Sequence, residues 1–527
     1  MQAGPILGWK GKRRYSVMDG THLRAVDVAT DLDRLLDSTD ETLVVASNRQ
    51  PYRHSYGEDG AVSVDRPTGG LTAGIDEVMR RLGGTWIAWG DGDADEDVVD
   101  EDGRVTVPPD EAAYELQRLW LSDAEVEEYY YRSSNQVLWP ICHAALGTVE
   151  PCGDAWERYR QVNDQFARAV AAEATDGALV WLQDYHLSLT PRIVRERASG
   201  DPFLAHSWHI PWPSWDTFRA CPHREEIVRG LLGNDLLGFH VPRYCRNFMN
   251  SAAAALPDVE VDREAGRIHY HGGTTAVRAF PMGVPAARIE DDAAGMEAAG
   301  FREAFTASKG IADGTTIAIG VDRLDYTKGI PERLAALEYL FETRPHLRGE
   351  VTYVQVGSES RSWIGAYAQY QERVEERVAA INDRFGTDSW QPVVYTTDHL
   401  SNEALAGLYR AADLAIVSPI RDGMNLVAQE YVAAQAGEDT GVLVLSDQAG
   451  VHDELGQWTV SVRPHDTTGF ADAIEAALTM PTEERRWRCD ALREYVFDND
   501  VDAWLRDVIA TVQTLRDGEV TPTNARH

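Results

Sequence analysis

Gly320-Val-Asp-Arg-Leu-Asp-Tyr-Thr-Lys-Gly-Ile-Pro-Glu-Arg333 is the stretch on which the fold turns. It follows an apolar run, Thr315 to Gly320, that reads as a buried strand. It ends in Pro331-Glu332-Arg333-Leu334, which reads as the first turn of a helix with Pro near its start. A strand, a glycine-punctuated turn and a helix N-terminus make a cradle for a phosphate, because helical N–H groups and the helix dipole face the anion. Arg323 and Lys328 place two cations inside that turn. The chain has only four lysines, Lys10, Lys12, Lys309 and Lys328, among 50 lysines and arginines. Where Arg is the default, a Lys in a tight turn points to the need for a compact point charge. A solvated turn lysine would fit the same spacing.

Working outward, strand candidates alternate with helical patterns on both sides of this motif. Leu43–Ala46, Trp86–Trp89, Leu179–Leu182, Phe203–Ile210, Leu236–His240 and Arg278–Phe280 form a first series. Thr315–Val321, Val351–Val356, Val393–Tyr395, Leu414–Ser418, Val442–Ser446 and Thr459–Val462 form a second, with amphipathic stretches at 359–385, 401–411 and 468–479. That alternation predicts an α/β fold of βαβ units with two parallel sheets. The expected divisions are an extension over 1–40, a first Rossmann-like domain over 41–283, a second over 284–481, and C-terminal helices over 482–515 that return to the first domain. Two open α/β sheets bind ligands at their strands' carboxyl ends, so a cleft is expected between them.

Composition narrows the function. The 527 residues carry a formal charge of −35 and a pI near 4.7, which argues against nucleic acid or anionic membranes as partners. Acidic residues spread along the whole chain resemble a halophile's surface, so the charge describes the solvent rather than the ligand. Five cysteines without a Cys-x-x-Cys fit a reduced cytoplasm. No signal peptide or membrane-length apolar run is legible. The tract Asp91–Asp102 spaces its acids like a calcium loop but has Glu96 where such a loop needs Gly, and it reads as a solvated loop. The tail 521–527 reads as frayed.

A second constellation lies at Ser418-Pro-Ile-Arg-Asp-Gly-Met-Asn-Leu-Val-Ala-Gln-Glu-Tyr-Val-Ala-Ala-Gln435. A strand ends near Ser418, a loop carries Asp422, Gly423, Met424 and Asn425, and a helix begins near Leu426. Its first amides could hold a diphosphate. Glu430, one turn along, could take ribose hydroxyls, and Asp422 sugar hydroxyls. An N-capping Asp and an ordinary surface Glu would fit the same pattern.

These two motifs, with Ser47-Asn48-Arg49-Gln50-Pro51, Gly69-Gly70-Leu71, Val180-Trp-Leu-Gln-Asp-Tyr-His-Leu187, His209-Ile-Pro-Trp-Pro-Ser214 and Asp235-Leu-Leu-Gly-Phe-His240, resemble the trehalose-6-phosphate synthases. Those are retaining glycosyltransferases of the GT-B architecture, and the resemblance runs from about 42 to 510. It implies glucosyl transfer from a nucleotide-glucose, usually UDP-glucose, to glucose 6-phosphate, without metal or other cofactor. By resemblance, Arg323 and Lys328 neutralise the leaving diphosphate, and Gly69 and Gly70 let the chain approach the donor. Leu400 lies near the base, and Gly423, Met424, Asn425, Leu426 and Val427 border the donor, with Glu430 on the ribose. Asp422 and His209 hold the transferred glucose, and Asp184 lies beside the acceptor sugar. Arg49, Trp89, Tyr130, Trp139 and Arg361 form the acceptor pocket, Arg49 and Arg361 on its phosphate.

Three departures from the family's pattern stand out. Gln429 replaces a common Lys, Leu400 a frequent Phe, and Gln183 a common His. The sister activity on glycerol 3-phosphate and a non-catalytic regulatory subunit are the rival readings. The partners implied are small molecules, with a homo-oligomer compatible and no appended phosphatase domain expected.

Overall fold

The computed structural model describes residues 42–518 apart from 58, 67–69, 152, 360, 362, 399, 438 and 439. The 1–40 extension, the 521–527 tail and Gly69 therefore lie outside the described residues.

The first sheet has ten strands. Its parallel centre runs Gly273–Ala279, Leu236–Phe239, Phe203–Trp208, Leu179–Gln183, Leu43–Ser47, Thr85–Trp89, Tyr114–Leu119. Antiparallel strands close both edges: Arg104–Val107 on one side, Arg267–Tyr270 and Glu260–Asp262 on the other. The second sheet is six-stranded and wholly parallel, in the order Val393–Thr396, Val351–Ser358, Thr316–Arg323, Leu414–Val417, Val442–Ser446, Val460–Val462.

Layering explains the unbroken apolar runs. A parallel sheet covered by helices buries both faces, and successive side chains go to opposite faces. Val44 and Ala46 enter the core that includes Phe166 and Val170 of helix Ala155–Glu173. Leu43 and Val45 enter another with Ile75 and Met79 of helix Gly70–Leu82. In the second sheet Ile317 and Ile319 join one core and Ala318 the other.

In each sheet the first strand, Leu43–Ser47 or Thr316–Arg323, is flanked by later strands added first on one side and then on the other, and at such a switch point an open α/β sheet leaves a crevice at the strands' carboxyl ends. Ser47–Arg49 and Asp184 leave the first sheet there, and Arg323–Lys328 and Ser418–Asn425 leave the second.

The two C-terminal helices divide between the domains. Leu492 and Val496 of Thr482–Asp498 belong to the second domain's core, so this helix does not return as expected. Val501–Arg516 does return: Trp504, Leu505, Val508 and Val512 fill the first domain's core, and Trp504 lies 5.6 Å from Trp181. Outgoing and returning chains cross at Gly283, where an added Cβ would meet Asn499 O and Asp500 C at 2.3 Å. Val501 N donates to Val284 O there at 3.1 Å.

The acidic tract corrects a second expectation. Most of it is at the surface, but Asp95 is fully buried and is a hub rather than a solvated carboxylate. It accepts from His54 N at 2.8 Å, Gly92 N at 2.7 Å and Gln50 Nε2 at 2.6 Å. Arg118, also fully buried, pairs with it at 3.1 Å and donates to Gln50 Oε1 at 2.8 Å and Tyr52 O at 3.1 Å. A buried carboxylate persists only when paired and hydrogen-bonded in this way. The hub ties the tract onto the segment that carries Arg49.

Candidate active site

One side of the cleft is built from two loops of the second domain. After Arg323 the chain makes a short turn over Tyr326–Lys328 and enters helix Ile330–Thr343 through Gly329, whose φ of 67° suits glycine. The turn presents Lys328 Nζ 2.6 Å from Asp422 Oδ2, on the other loop. Burial opposes ionisation of Asp422, but Lys328, with His143 and Asn425, overcomes it and holds the carboxyl below its ordinary range. Helix Leu426–Ala434 follows. Its cap Asn425 has φ 84° and accepts from Ala428 N at 3.3 Å, while donating to Asp422 Oδ2 at 3.1 Å. The amides of Leu426 and Val427 precede the first intrahelical bond, as an anion site requires. Leu400, Leu426 and Val427 pack together on the second domain's core. Glu430 accepts from Tyr409 Oη at 2.9 Å, and burial raises its pKa.

The other side of the cleft comes mostly from the first domain. Val126–Leu138 is a π-helix, a form concentrated at functional sites. It carries Tyr130 and leads into Trp139. Arg49 Nη2 donates to Tyr130 Oη at 3.1 Å, Trp89 lies 5.8 Å from the same ring and His186 stacks on it at 5.6 Å. Burial pushes the Tyr130 hydroxyl up, but the Arg361 and Arg49 guanidiniums outweigh it and hold its pKa below the ordinary value. Arg361 reaches across from the second domain, its guanidinium 4.4 Å from the Trp139 ring, while that of Arg323 lies 5.6 Å from the same ring. One indole therefore contacts a cation from each of two loops of the second domain.

Between the two sides sit Asp184 and His209. Asp184 ends strand Leu179–Gln183 with a φ of 66°, accepts from His209 N at 3.2 Å and has its own N–H on Ser207 O at 2.8 Å. Burial raises its carboxyl to about 6, against the pull of the Tyr185 and His209 amides, Arg361 and Arg323. His209's ring meets Gln183 Oε1 at 2.9 Å. Asp184, Asn425 and Arg361 (φ 53°) are three of the seven non-glycine residues with positive φ among those described. Such strained backbone persists where the surroundings enforce a particular side-chain position.

The structure thus brings together the candidates chosen from sequence, with qualifications. Met424's side chain is core, so only its backbone borders the site. Gly70 opens a helix. Gln429 turns to the linker instead, donating to Met282 O at 2.8 Å. Sequence reasoning missed Asp325, His143, His186 and Tyr367. Asp325 had a signal, since an Asp two residues before a Thr inside a turn is an Asx-turn pattern. His186 lay inside the quoted Val180–Leu187 motif without being singled out, and His143 and Tyr367 lay in unremarkable stretches. Trp139 Nε1, Gln183 Nε2, His186 Nε2, Asn48 Nδ2, Asp325 Oδ2 and Arg361 Nε are buried polar atoms with no hydrogen-bond partner. Their concentration around one cleft is what a ligand rich in hydroxyls and phosphate oxygens would satisfy.

Residues 41–514 match the sequence profile of Glycosyltransferase family 20. The chain belongs to glycosyltransferase family 20. Among its family 20 relatives, a trehalose-6-phosphate synthase of Mycobacterium sp. (strain JLS) is 37% identical over 91% of this chain and 98% of its own length. That of Mycolicibacterium smegmatis is 36% identical over 91% and 94%. Among solved structures, one described as "Trehalose-6-phosphate from E. coli bound with UDP-2-fluoro glucose" superposes with a TM-score of 0.79 at 31% identity, covering 90% of this chain and 99% of that one. A UDP-forming α,α-trehalose-phosphate synthase from Burkholderia xenovorans, in complex with glucose-6-phosphate, gives 0.79 at 30% identity over 90% and 100%. The chain is a glycosyltransferase with the two-domain GT-B architecture of these relatives. Among the described residues no helix is long and apolar enough to cross a membrane.

Two expected results follow for this family 20 enzyme. Asp184, protonated below about 6 and ionised above it, offers a substrate hydroxyl a charged hydrogen-bond acceptor only in the ionised form. The kcat/KM for transfer should fall about tenfold per pH unit below that point, and a pH–rate profile of Asp184→Asn should lack this limb. Secondly, a methyl at Gly423 would sit 2.4 Å from His209 O in the facing domain. Gly423→Ala must push the two loops apart, and a displacement near 1 Å costs on the order of 10²-fold in rate. Steady-state kinetics on the folded variant would show it; an unchanged kcat would mean the loops need not touch.

Proposed function

We propose that this chain transfers glucose, with retention, from UDP-glucose to glucose 6-phosphate, giving α,α-trehalose 6-phosphate and UDP. The observation that carries the reading is the gathering of cations around Trp139: Arg323, from the turn that presents Lys328, lies 5.6 Å from its ring, and Arg361 lies 4.4 Å from it, with Arg49 on the adjoining Tyr130. A diphosphate and a phosphate monoester in one cleft call for that arrangement. The relatives bound with UDP-2-fluoro glucose and with glucose-6-phosphate support the same two ligands.

In this reading the nucleotide-sugar domain, 284–481, seats the diphosphate on the amides of Leu426 and Val427 and the ribose on Glu430. The acceptor domain, 41–283, seats the hexose phosphate between Arg49 and Arg361. Asp422 and His209 orient the donor glucose, and Asp184 the acceptor sugar. As the bond from the anomeric carbon to the diphosphate oxygen breaks, Arg323 and Lys328 neutralise the charge that develops there. The new bond forms from the acceptor's anomeric hydroxyl oxygen on the same face, and its proton passes to the departing diphosphate. Closure of the domains excludes water, which favours transfer over hydrolysis. A cytosolic setting with high salt fits the substrates and the charge of −35.

The test is an assay in high-KCl buffer with UDP-glucose and either glucose 6-phosphate or glycerol 3-phosphate, following UDP release and identifying the sugar formed. Trehalose 6-phosphate from the first acceptor alone is the expected result. Turnover only with glycerol 3-phosphate would reassign the acceptor. Silence with both acceptors, and with GDP- and ADP-glucose, from folded protein would favour a regulatory subunit.

A further inference from the structure

We infer that Asp325 is a positioning residue that joins the two phosphate subsites, one carboxylate oxygen shaping the donor-side turn and the other holding the acceptor-side Arg361. This rests on the assignment of the two subsites proposed above.

Asp325 is fully buried. Its Oδ1 accepts from Thr327 N at 3.0 Å and from Thr327 Oγ1 at 2.9 Å, and Lys328 N donates to its backbone O at 2.9 Å. That half of the side chain folds the turn that presents Lys328. Its Oδ2 has no hydrogen bond and lies 3.5 Å from Arg361 Nη1. Arg361 belongs to another loop, but the two loops leave neighbouring parallel strands at the same level, with Arg323 in register with Ser358. Asp325 therefore sits where the two loops begin to diverge and is the carboxylate common to both.

Arg361 needs such an anchor. Its backbone is left-handed, its Nε has no partner, and its other holds are neutral or aromatic: a hydrogen bond to Tyr367 Oη at 2.7 Å, the Tyr130 hydroxyl, and the Trp139 and Tyr367 rings. In this reading the donor diphosphate binds beside the same indole and carries about as much charge as the acceptor monoester. A guanidinium without a local carboxylate would be drawn toward it, leaving the acceptor phosphate with Arg49 alone. Asp325 fixes Arg361 for the acceptor while its other oxygen keeps Lys328 facing the donor.

Asparagine separates the two halves of this role. Asp325→Asn keeps a carbonyl oxygen for Thr327 but sets an amide, or an uncharged oxygen, against the guanidinium. Breaking a buried ion pair is costly, so the KM for glucose 6-phosphate should rise about 10- to 100-fold, with UDP affinity by calorimetry within about twofold of wild type. Asp325→Ala should weaken both. In an Arg361→Ala background Asp325→Asn should add nothing further to KM. An unchanged acceptor KM, an equal loss of UDP and acceptor binding in the Asn variant, or simple additivity with Arg361→Ala would each overturn the inference. Calorimetric binding of inorganic phosphate to the same variants reads the contrast without turnover. A wild-type chain inactive on glucose 6-phosphate would thus defeat the proposed function and still leave Asp325 decided.

Discussion

Lys328→Ala is expected to lower kcat by about 10²–10³-fold, the usual cost of removing one preorganised group aimed at developing charge, while the KM for the acceptor changes little. The lysine is placed for this by the Tyr326–Lys328 turn and held 2.6 Å from Asp422 Oδ2, with both side chains largely withdrawn from solvent. Its charge is therefore poorly screened and points at the donor side. Removing it also strips Asp422 of the cation that offsets its burial. The Asp422 carboxyl should then titrate at higher pH and bring activity down earlier on acidification. Lys328→Arg should restore only part of the rate, since a planar fork cannot occupy the place of a compact ammonium in so tight a turn. Single-turnover kinetics with saturating donor would separate this loss from weaker binding. A kcat within twofold of wild type would remove Lys328 from the machinery.

The largest effect on stability should come from Asp95→Ala. Asp95 and Arg118 have no solvent exposure, and deleting one partner leaves a buried charge uncompensated, at about 3–5 kcal/mol. Gln50 Nε2 would lose its contact with Asp95, and His54 N and Gly92 N would lose an acceptor each. Because Gln50 follows Arg49, the loss should reach the site: the acceptor KM should rise even where the protein remains folded. Urea unfolding followed through the first domain's tryptophans would measure the stability term. A double change, Asp95→Leu with Arg118→Met, should recover much of it, since a buried pair can be replaced by apolar side chains at little cost. If the single variant loses less than 1 kcal/mol, the hub is ornamental.

Most of the parallel centre of each sheet was legible because strands buried on both faces must be apolar along their whole length, as Leu43–Ser47 and Val442–Ser446 are. Parallel Tyr114–Leu119, whose buried residues alternate with more solvated ones, was missed. The antiparallel margins were not legible. The margins Arg104–Val107 and Arg267–Tyr270, and the separate two-stranded sheet of Arg53–Tyr56 with Val62–Asp65, are short and partly solvated. Their charges read as loop, and pairing with a neighbour supplies the order that sequence alone does not show. The π-helix over Val126–Leu138 was missed because its repeat matches neither of the usual periods. In the site, residues inside dense motifs were readable, whereas Asp95 was not. A run of acids looks solvated until Arg118, 23 residues on, is seen to reach back to one of them. The same holds for Gln429: only the fold shows that its amide is engaged by Met282 O.

The crossing at Gly283 has a topological meaning. The chain leaves the first domain at residue 283 and re-enters it at 501, so everything between, including helix Thr482–Asp498, is an insertion whose two ends meet. Excision of that insertion, with residue 283 ligated to residue 500 through a short glycine bridge, would leave the first sheet and its capping helix Val501–Arg516 covalently closed, because the backbones there are already in contact. A truncation after residue 481 would do the opposite, stripping Trp504, Leu505 and Val508 from the first domain while appearing to trim only the second.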